Sequence, residues 1–89
     1  MLKITTVQES RSDVLLKLEG KITDPWAALL DRECRSFLRQ EKAVHLDCSQ
    51  VDFIDEIGIG ILNRLPKQHV TLMSAPGFVR VLLQTGGQS

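Results

Sequence analysis

Apolar and polar positions alternate with period two at the start of the chain. Leu2, Ile4 and Thr6 are set against Lys3, Thr5 and Val7, which predicts a short strand. The polar stretch from Gln8 to Asp13 reads as a hairpin turn. Val14, Leu16 and Leu18 then alternate with Leu15, Lys17 and Glu19, a second strand with one buried face that Gly20 ends. The period changes at Asp24-Pro25. An aspartate can accept bonds from the orphan N–H groups of a first helical turn, and proline suits the first helical position because it has no N–H to leave unpaired. Trp26, Leu29, Leu30, Cys34, Phe37 and Leu38 follow at helical spacing and predict a core-facing stripe. Asp31, Arg32, Arg35 and Arg39 form the wet side.

Ala43 to Cys48 predicts a third strand, with Val44, Leu46 and Cys48 on one face and Ala43, His45 and Asp47 on the other. A strand, a helix and a strand in succession imply a parallel crossover. Asp55 caps a second helix from Glu56 to about Leu65, with Ile54 and Ile59 at the staple positions and Pro66 closing it. His69 to Met73 reads as a fourth strand, Val70 and Leu72 toward the core and His69, Thr71 and Met73 away from it. Pro76 opens a third helix through Gln84, with Phe78, Val79, Leu82 and Leu83 inward and Gly86 as its stop. The order is ββαβαβα, an α/β class, in a single domain over residues 1–89.

Composition narrows the function classes. The chain has 89 residues, 43% hydrophobic and 25% charged, which is globular usage rather than a disordered or fibrous chain. A chain this short buries roughly 60–65% of its unfolded surface, leaving little core for a deep substrate cavity. Eleven Lys and Arg balance eleven Asp and Glu, so the formal charge is zero and no basic face for nucleic acid is expected. No apolar run is long enough for a membrane span, and the N-terminus does not resemble an export signal. Cys34 and Cys48 lack metal-ligand spacing and read as small buried apolar residues, reduced in a cytoplasmic setting.

No catalytic motif or phosphate loop is present. Gly58-Ile59-Gly60 lies within a helix, where close helix–sheet packing accounts for glycine better than phosphate binding does. His45 and Asp47 share a strand face, and His69 begins the neighbouring strand. In matching register the three would form a metal or hydrolytic site; the solvated face of a one-sided sheet explains them as well. The segment Asp52 to Gly60 is a strand-to-helix loop with three carboxylates beside an apolar run. Capping and the helix dipole account for Asp55 and Glu56. Ile57, at the second helical position, points toward the loop rim and is either core or a partner contact.

These residues resemble a known family. Leu18-Glu19-Gly20-Lys21-Ile22 is similar to its L-x-G-x-I/L segment. Val44 through Ile59 resembles V-x-L-D-L-S-x-V-x-F-I-D-S-S-G-L. Val70-Thr71-Leu72, Pro76-Gly77-Phe78-Val79 and Leu82 to Gly86 resemble its fourth strand and third helix. The family is STAS, the bacterial anti-sigma-factor antagonists and their relatives. The resemblance implies a βα superhelix: a mixed four-stranded sheet with helices mainly on one face. It also implies a protein-binding module with no enzymatic activity and no cofactor. The partner surface carried over is Asp55, Glu56, Ile57, Gly58 and Ile59. Partner-switching members have a phosphorylated serine just before the loop glycine; here that position is Ile57, so docking is expected without that switch. The implied partner is an anti-sigma factor or kinase-like protein, with a scaffold role, or the STAS subunit of a phospholipid-transport ABC system docking on its ATPase, as alternatives. The usual last strand and helix are not matched, so the fourth strand is expected at an open edge and a weak homodimer through it or through the third helix.

Overall fold

The computed structural model describes residues 1–80. The first two strands, β1 (Leu2–Glu9) and β2 (Asp13–Ile22), form an antiparallel hairpin. Its turn is shorter than the polar composition suggests, because Gln8 and Glu9 pair with Leu15 and Val14 and β2 already begins at Asp13. Ser10 closes it: its hydroxyl oxygen accepts the Asp13 N–H at 3.1 Å, and its own N–H donates to the Asp13 carbonyl at 2.8 Å. A bulge between Thr6 and Gln8 leaves Val7 unpaired and resets the alternation, so Gln8 faces Leu15. Gly20 does not end β2. The strand passes through it with φ +109°, a conformation that side chains rarely adopt, and a Cβ there would stand 2.5 Å from the Met1 carbonyl oxygen.

Helix α1 (Trp26–Arg39) starts differently from expectation. Pro25 takes the N-cap position, no side chain caps the helix, and the Asp24 carboxylate accepts no capping bond. The Ala27 N–H instead reaches the Thr23 carbonyl at 2.8 Å. Ala27, Leu30 and Cys34 are buried, with Trp26, Phe37 and Leu38 packed partly against the core. Leu29, placed in the stripe by its spacing, is exposed. At 3.6 residues per turn it lies about 120° from the stripe centre that Leu30, Cys34, Phe37 and Leu38 define.

Strand β3 (Ala43–Ile54) is twice the expected length. Val51 and Ile54 are buried like Val44, Leu46 and Cys48, and they keep the strand in parallel register with β2 as far as Ile22 opposite Ile54, across two irregularities. Asp52 and Phe53 therefore belong to a strand end rather than a loop. Helix α2 (Glu56–Arg64) follows, and then β4 (Val70–Met73), parallel to β3 with Val44 opposite Val70. The His69 side chain sits in the turn before β4, although its carbonyl accepts the Val44 N–H at 2.8 Å. Residues 77–80 are helical; Val79 is buried as expected, whereas Phe78 is exposed. Leu82, Leu83, Gln84 and Gly86 lie outside the described residues.

The sheet order is β1-β2-β3-β4, and a single core joins one sheet face to α1 and α2. Among the described residues β4 has no neighbour on its outer side. Val70 and Leu72 face the core, and Thr71 and Met73 are exposed. Cys34 and Cys48 are free and fully buried, and burial pushes both thiols up to about 12.

Candidate functional site

Because β2 and β3 run parallel, their C-terminal ends deliver Thr23 and Asp55 to the same end of the sheet. The Asp55 N–H donates to the Ile22 carbonyl at 3.2 Å. One Asp55 carboxylate oxygen, Oδ1, accepts the Gly58 N–H at 2.7 Å and caps α2; the other, Oδ2, accepts the Asp24 N–H at 3.3 Å. Asp55 in the cap and Glu56 in the first turn place negative charge at the positive end of the helix dipole, worth about 0.3–1 kcal/mol each where exposed.

Gly58 is buried, and a Cβ there would stand 2.3 Å from the Ile22 carbonyl oxygen. This is the close helix–sheet approach expected of the glycine pair. Gly60, in contrast, has open space where its Cβ would be. With Gly58 held against β2, the first turn projects Glu56 and Ile57 outward. Both are exposed, Ile57 by 48% of its surface. Asp55 is half-buried, and Ile59 packs partly against the core. Of the five residues singled out, two are presented to solvent and three support them.

Phe53 is a further exposed apolar side chain, 49% accessible at the end of β3. The Lys21 ammonium lies 5.7 Å from its ring centroid and pairs with Asp52 at 3.2 Å. Reading Asp52 to Ile54 as loop concealed this. Strict alternation from Cys48 would turn Val51 outward and Asp52 inward; the two register irregularities between β2 and β3 bury Val51 and set Phe53 opposite Lys21 on an exposed rim.

His45, Asp47 and His69 do not form a joint site. His45 Nε2 lies 2.9 Å from Asp13 Oδ1, a diagonal contact between β2 and β3. That bond, with one from the Ser12 hydroxyl, holds the Asp13 carboxyl below its usual range. Asp47 accepts the Ser49 N–H at 3.0 Å, which lowers its own titration. His69 lies in a turn, lining a separate groove with Ser12, Lys42 and Pro66. Among the described residues no group of three His, Cys, Asp or Glu side chains could hold a metal ion. The three side chains are therefore not assembled as a metal site: His45 pairs with Asp13, Asp47 with Ser49, and His69 stands apart in its groove.

The geometry defines a small α/β domain whose distinguishing feature is an exposed, capped helix tip at the end of two parallel strands. The chain belongs to the STAS_2 family, described as Mlab, STAS domain, whose sequence model matches residues 5–87. The fold is that of the anti-sigma factor antagonist SpoIIAA in its unphosphorylated form, with a TM-score of 0.72 at 15% identity, covering 94% of this chain and 84% of that one. No curated protein sequence matches the chain. No helix among the described residues is long and apolar enough to cross a membrane.

Proposed function

We propose that this STAS domain is a docking module that binds a protein partner through the α2 tip, and that it has no enzymatic activity. Glu56 and Ile57 make contact, and Asp55, Gly58 and Ile59 hold them in place. The observation that carries this reading is Ile57, an isoleucine left 48% exposed at the second position of a capped helix. Fully burying such a side chain is worth about 1.5–3 kcal/mol, so its exposure leaves stabilisation for a partner to recover.

Docking is constitutive at this loop. Residues 52–60 contain no hydroxyl side chain, so no phosphate ester can form at the tip. A phosphate there would add about −2 charge and disrupt an apolar contact. The partner is an anti-sigma factor or kinase-like protein in the cytoplasm. The second reading is the STAS subunit of a phospholipid-transport ABC system seated on its ATPase; it uses the same tip, and the Mlab description of the matched family favours keeping it. The free edge of β4 among the described residues supports weak self-association as a separate property.

The test is quantitative co-purification from the native host of proteins retained by the wild-type chain, by Ile57→Arg and by Val7→Arg, which alters an exposed residue at the β1 bulge. Loss of one specific partner with Ile57→Arg alone supports tip docking. Equal retention by all three refutes it.

A further inference from the structure

At the end of the sheet opposite the α2 tip, the hairpin turn, the end of α1 and the turn before β4 enclose a groove of about 400 Å³. The start of β3 is bonded to both turns: the Ala43 N–H donates to the Ser12 carbonyl at 2.9 Å and the Val44 N–H to the His69 carbonyl at 2.8 Å. Leu38, Ala43 and Pro66 form apolar walls; Ser12, Glu41, Lys42 and His69 are polar. Helix α1 ends here in two bonds, from the Glu41 N–H to the Leu38 carbonyl at 2.9 Å and from the Lys42 N–H to the Phe37 carbonyl at 3.2 Å. That pattern needs a left-handed residue after the C-cap Gln40, and glycine usually supplies it. Here the residue is a glutamate at φ 62°, a conformation in which its Cβ is crowded and glycine would not be. The Glu41 carboxylate makes no ion pair among the described residues to offset that strain. The turn also sends two successive and opposite charges, Glu41 and Lys42, into one groove, whereas an extended chain would face them apart. The Lys42 side chain pairs with Glu9 and is only 13% exposed, and its ammonium keeps two further donors.

We propose that this groove is a small-molecule site for a free α-amino acid with a small apolar side chain, and that Glu41 occupies its strained position to bind the ligand's ammonium. The Ser12 hydroxyl gives its proton to Asp13 Oδ2 at 2.7 Å, so its oxygen is left as a second acceptor for that ammonium. Lys42 and the ring N–H of His69 are donors for the ligand's carboxylate. Leu38, Ala43 and Pro66 take the apolar side chain. A ligand with only a negative charge would meet Glu41, and one with only a positive charge would meet Lys42; a zwitterion satisfies both. The groove lies at the small end of the roughly 300–1,000 Å³ usual for ligand sites, which suits a single amino acid. The site is independent of docking at the α2 tip.

The test is an NMR titration of the whole chain with L-leucine and with its two singly charged isosteres, isocaproate, which lacks the amine, and isoamylamine, which lacks the carboxylate. Leucine at millimolar concentration should shift the amide signals of Ala43 and His69 saturably. Both isosteres should bind roughly tenfold or more weakly, since each forfeits a charged hydrogen bond. No saturable shift with leucine, or shifts confined to the α2 tip, overturns the site. An isostere that binds as well as leucine overturns the zwitterion as its ligand. Glu41→Gly separates the ligand role from a structural one. Glycine relieves the left-handed strain, so Tm should equal or exceed that of wild type while the Kd for leucine rises roughly tenfold or more. An unchanged Kd in this variant removes Glu41 from the site. A lower Tm gives Glu41 a structural reason to be there, and either result overturns the proposal.

Discussion

Adding a single methyl group at each of two glycines two positions apart in α2 should move stability in opposite directions. In Gly60→Ala the new Cβ meets nothing within 4 Å, so only the backbone effect remains, a gain of about 0.5–1 kcal/mol for alanine over glycine in a helix interior. Gly58→Ala receives the same gain, but its Cβ would stand 2.3 Å from the Ile22 carbonyl oxygen, 2.9 Å from Ile54 Cγ1 and 3.0 Å from Ile22 Cγ2. The nearest of these is backbone and cannot rotate away, so the helix start must shift, straining the Asp55 N–H bond to the same carbonyl. Overpacking of this kind costs roughly 1–3 kcal/mol or more, and a backbone clash belongs at the upper end. The net loss is about 2 kcal/mol once the ~1 kcal/mol helix gain is subtracted. For a domain of this size that lowers Tm by roughly 8–16 °C, whereas Gly60→Ala should raise it by roughly 2–8 °C. Thermal and urea unfolding followed by circular dichroism would measure both. A Gly58→Ala variant as stable as wild type would refute the close packing of α2 on β2, and with it the placement of the tip.

Asp55→Ala should lose about 0.5–2 kcal/mol as a cap is removed, whereas Ile57→Ser should stay within about 0.5 kcal/mol of wild type; urea midpoints decide, and a large loss in Ile57→Ser would put that side chain in the core. The carboxyls of Asp13 and Asp47 titrate low in the folded state, so whatever they add to stability is present above the ordinary carboxylate range and fades as pH falls through their folded values. Carbon-detected NMR titration should show both midpoints below the usual 3.8, with His45→Ala raising that of Asp13 and leaving Asp47 in place. Cys34 and Cys48, both fully buried, should resist a thiol reagent at pH 8 until urea unfolds the chain; labelling of the native protein at the rate of a free cysteine would contradict their burial. Equilibrium sedimentation should show weak concentration-dependent dimerisation that Thr71→Pro reduces, and a strict monomer at high concentration would remove the role of the β4 edge.

The fold was legible where local pattern and tertiary context agree. The hairpin, both crossovers and the Asp55 cap follow from alternation, helical spacing and cap chemistry in the sequence. Legibility failed where a contact distant in sequence decides the outcome. The bulge at Val7 is invisible to a period-two reading. Gly20 looks like a terminator until Met1 is seen against it. Asp24-Pro25 has the form of a helix start, but the acceptor for the Asp24 N–H comes from Asp55. The length of β3 depends on β2 continuing alongside as far as Ile22. At the site, the exposure of Ile57 was left open in sequence because a residue at the second helical position can face either way. The Ile22–Gly58 contact fixes that rotation. His45 and Asp47 show the converse: strand parity placed them on one face correctly, but Asp13 and Ser49 had already claimed them.

The most direct test of constitutive docking is the calorimetric Kd of the purified co-purifying partner for wild-type chain and for Ile57→Ala. Covering the exposed half of the isoleucine is worth about 1 kcal/mol, so the Kd should rise roughly fivefold or more in the variant while its unfolding midpoint stays near that of wild type. An unchanged Kd in a variant that remains folded would contradict the account.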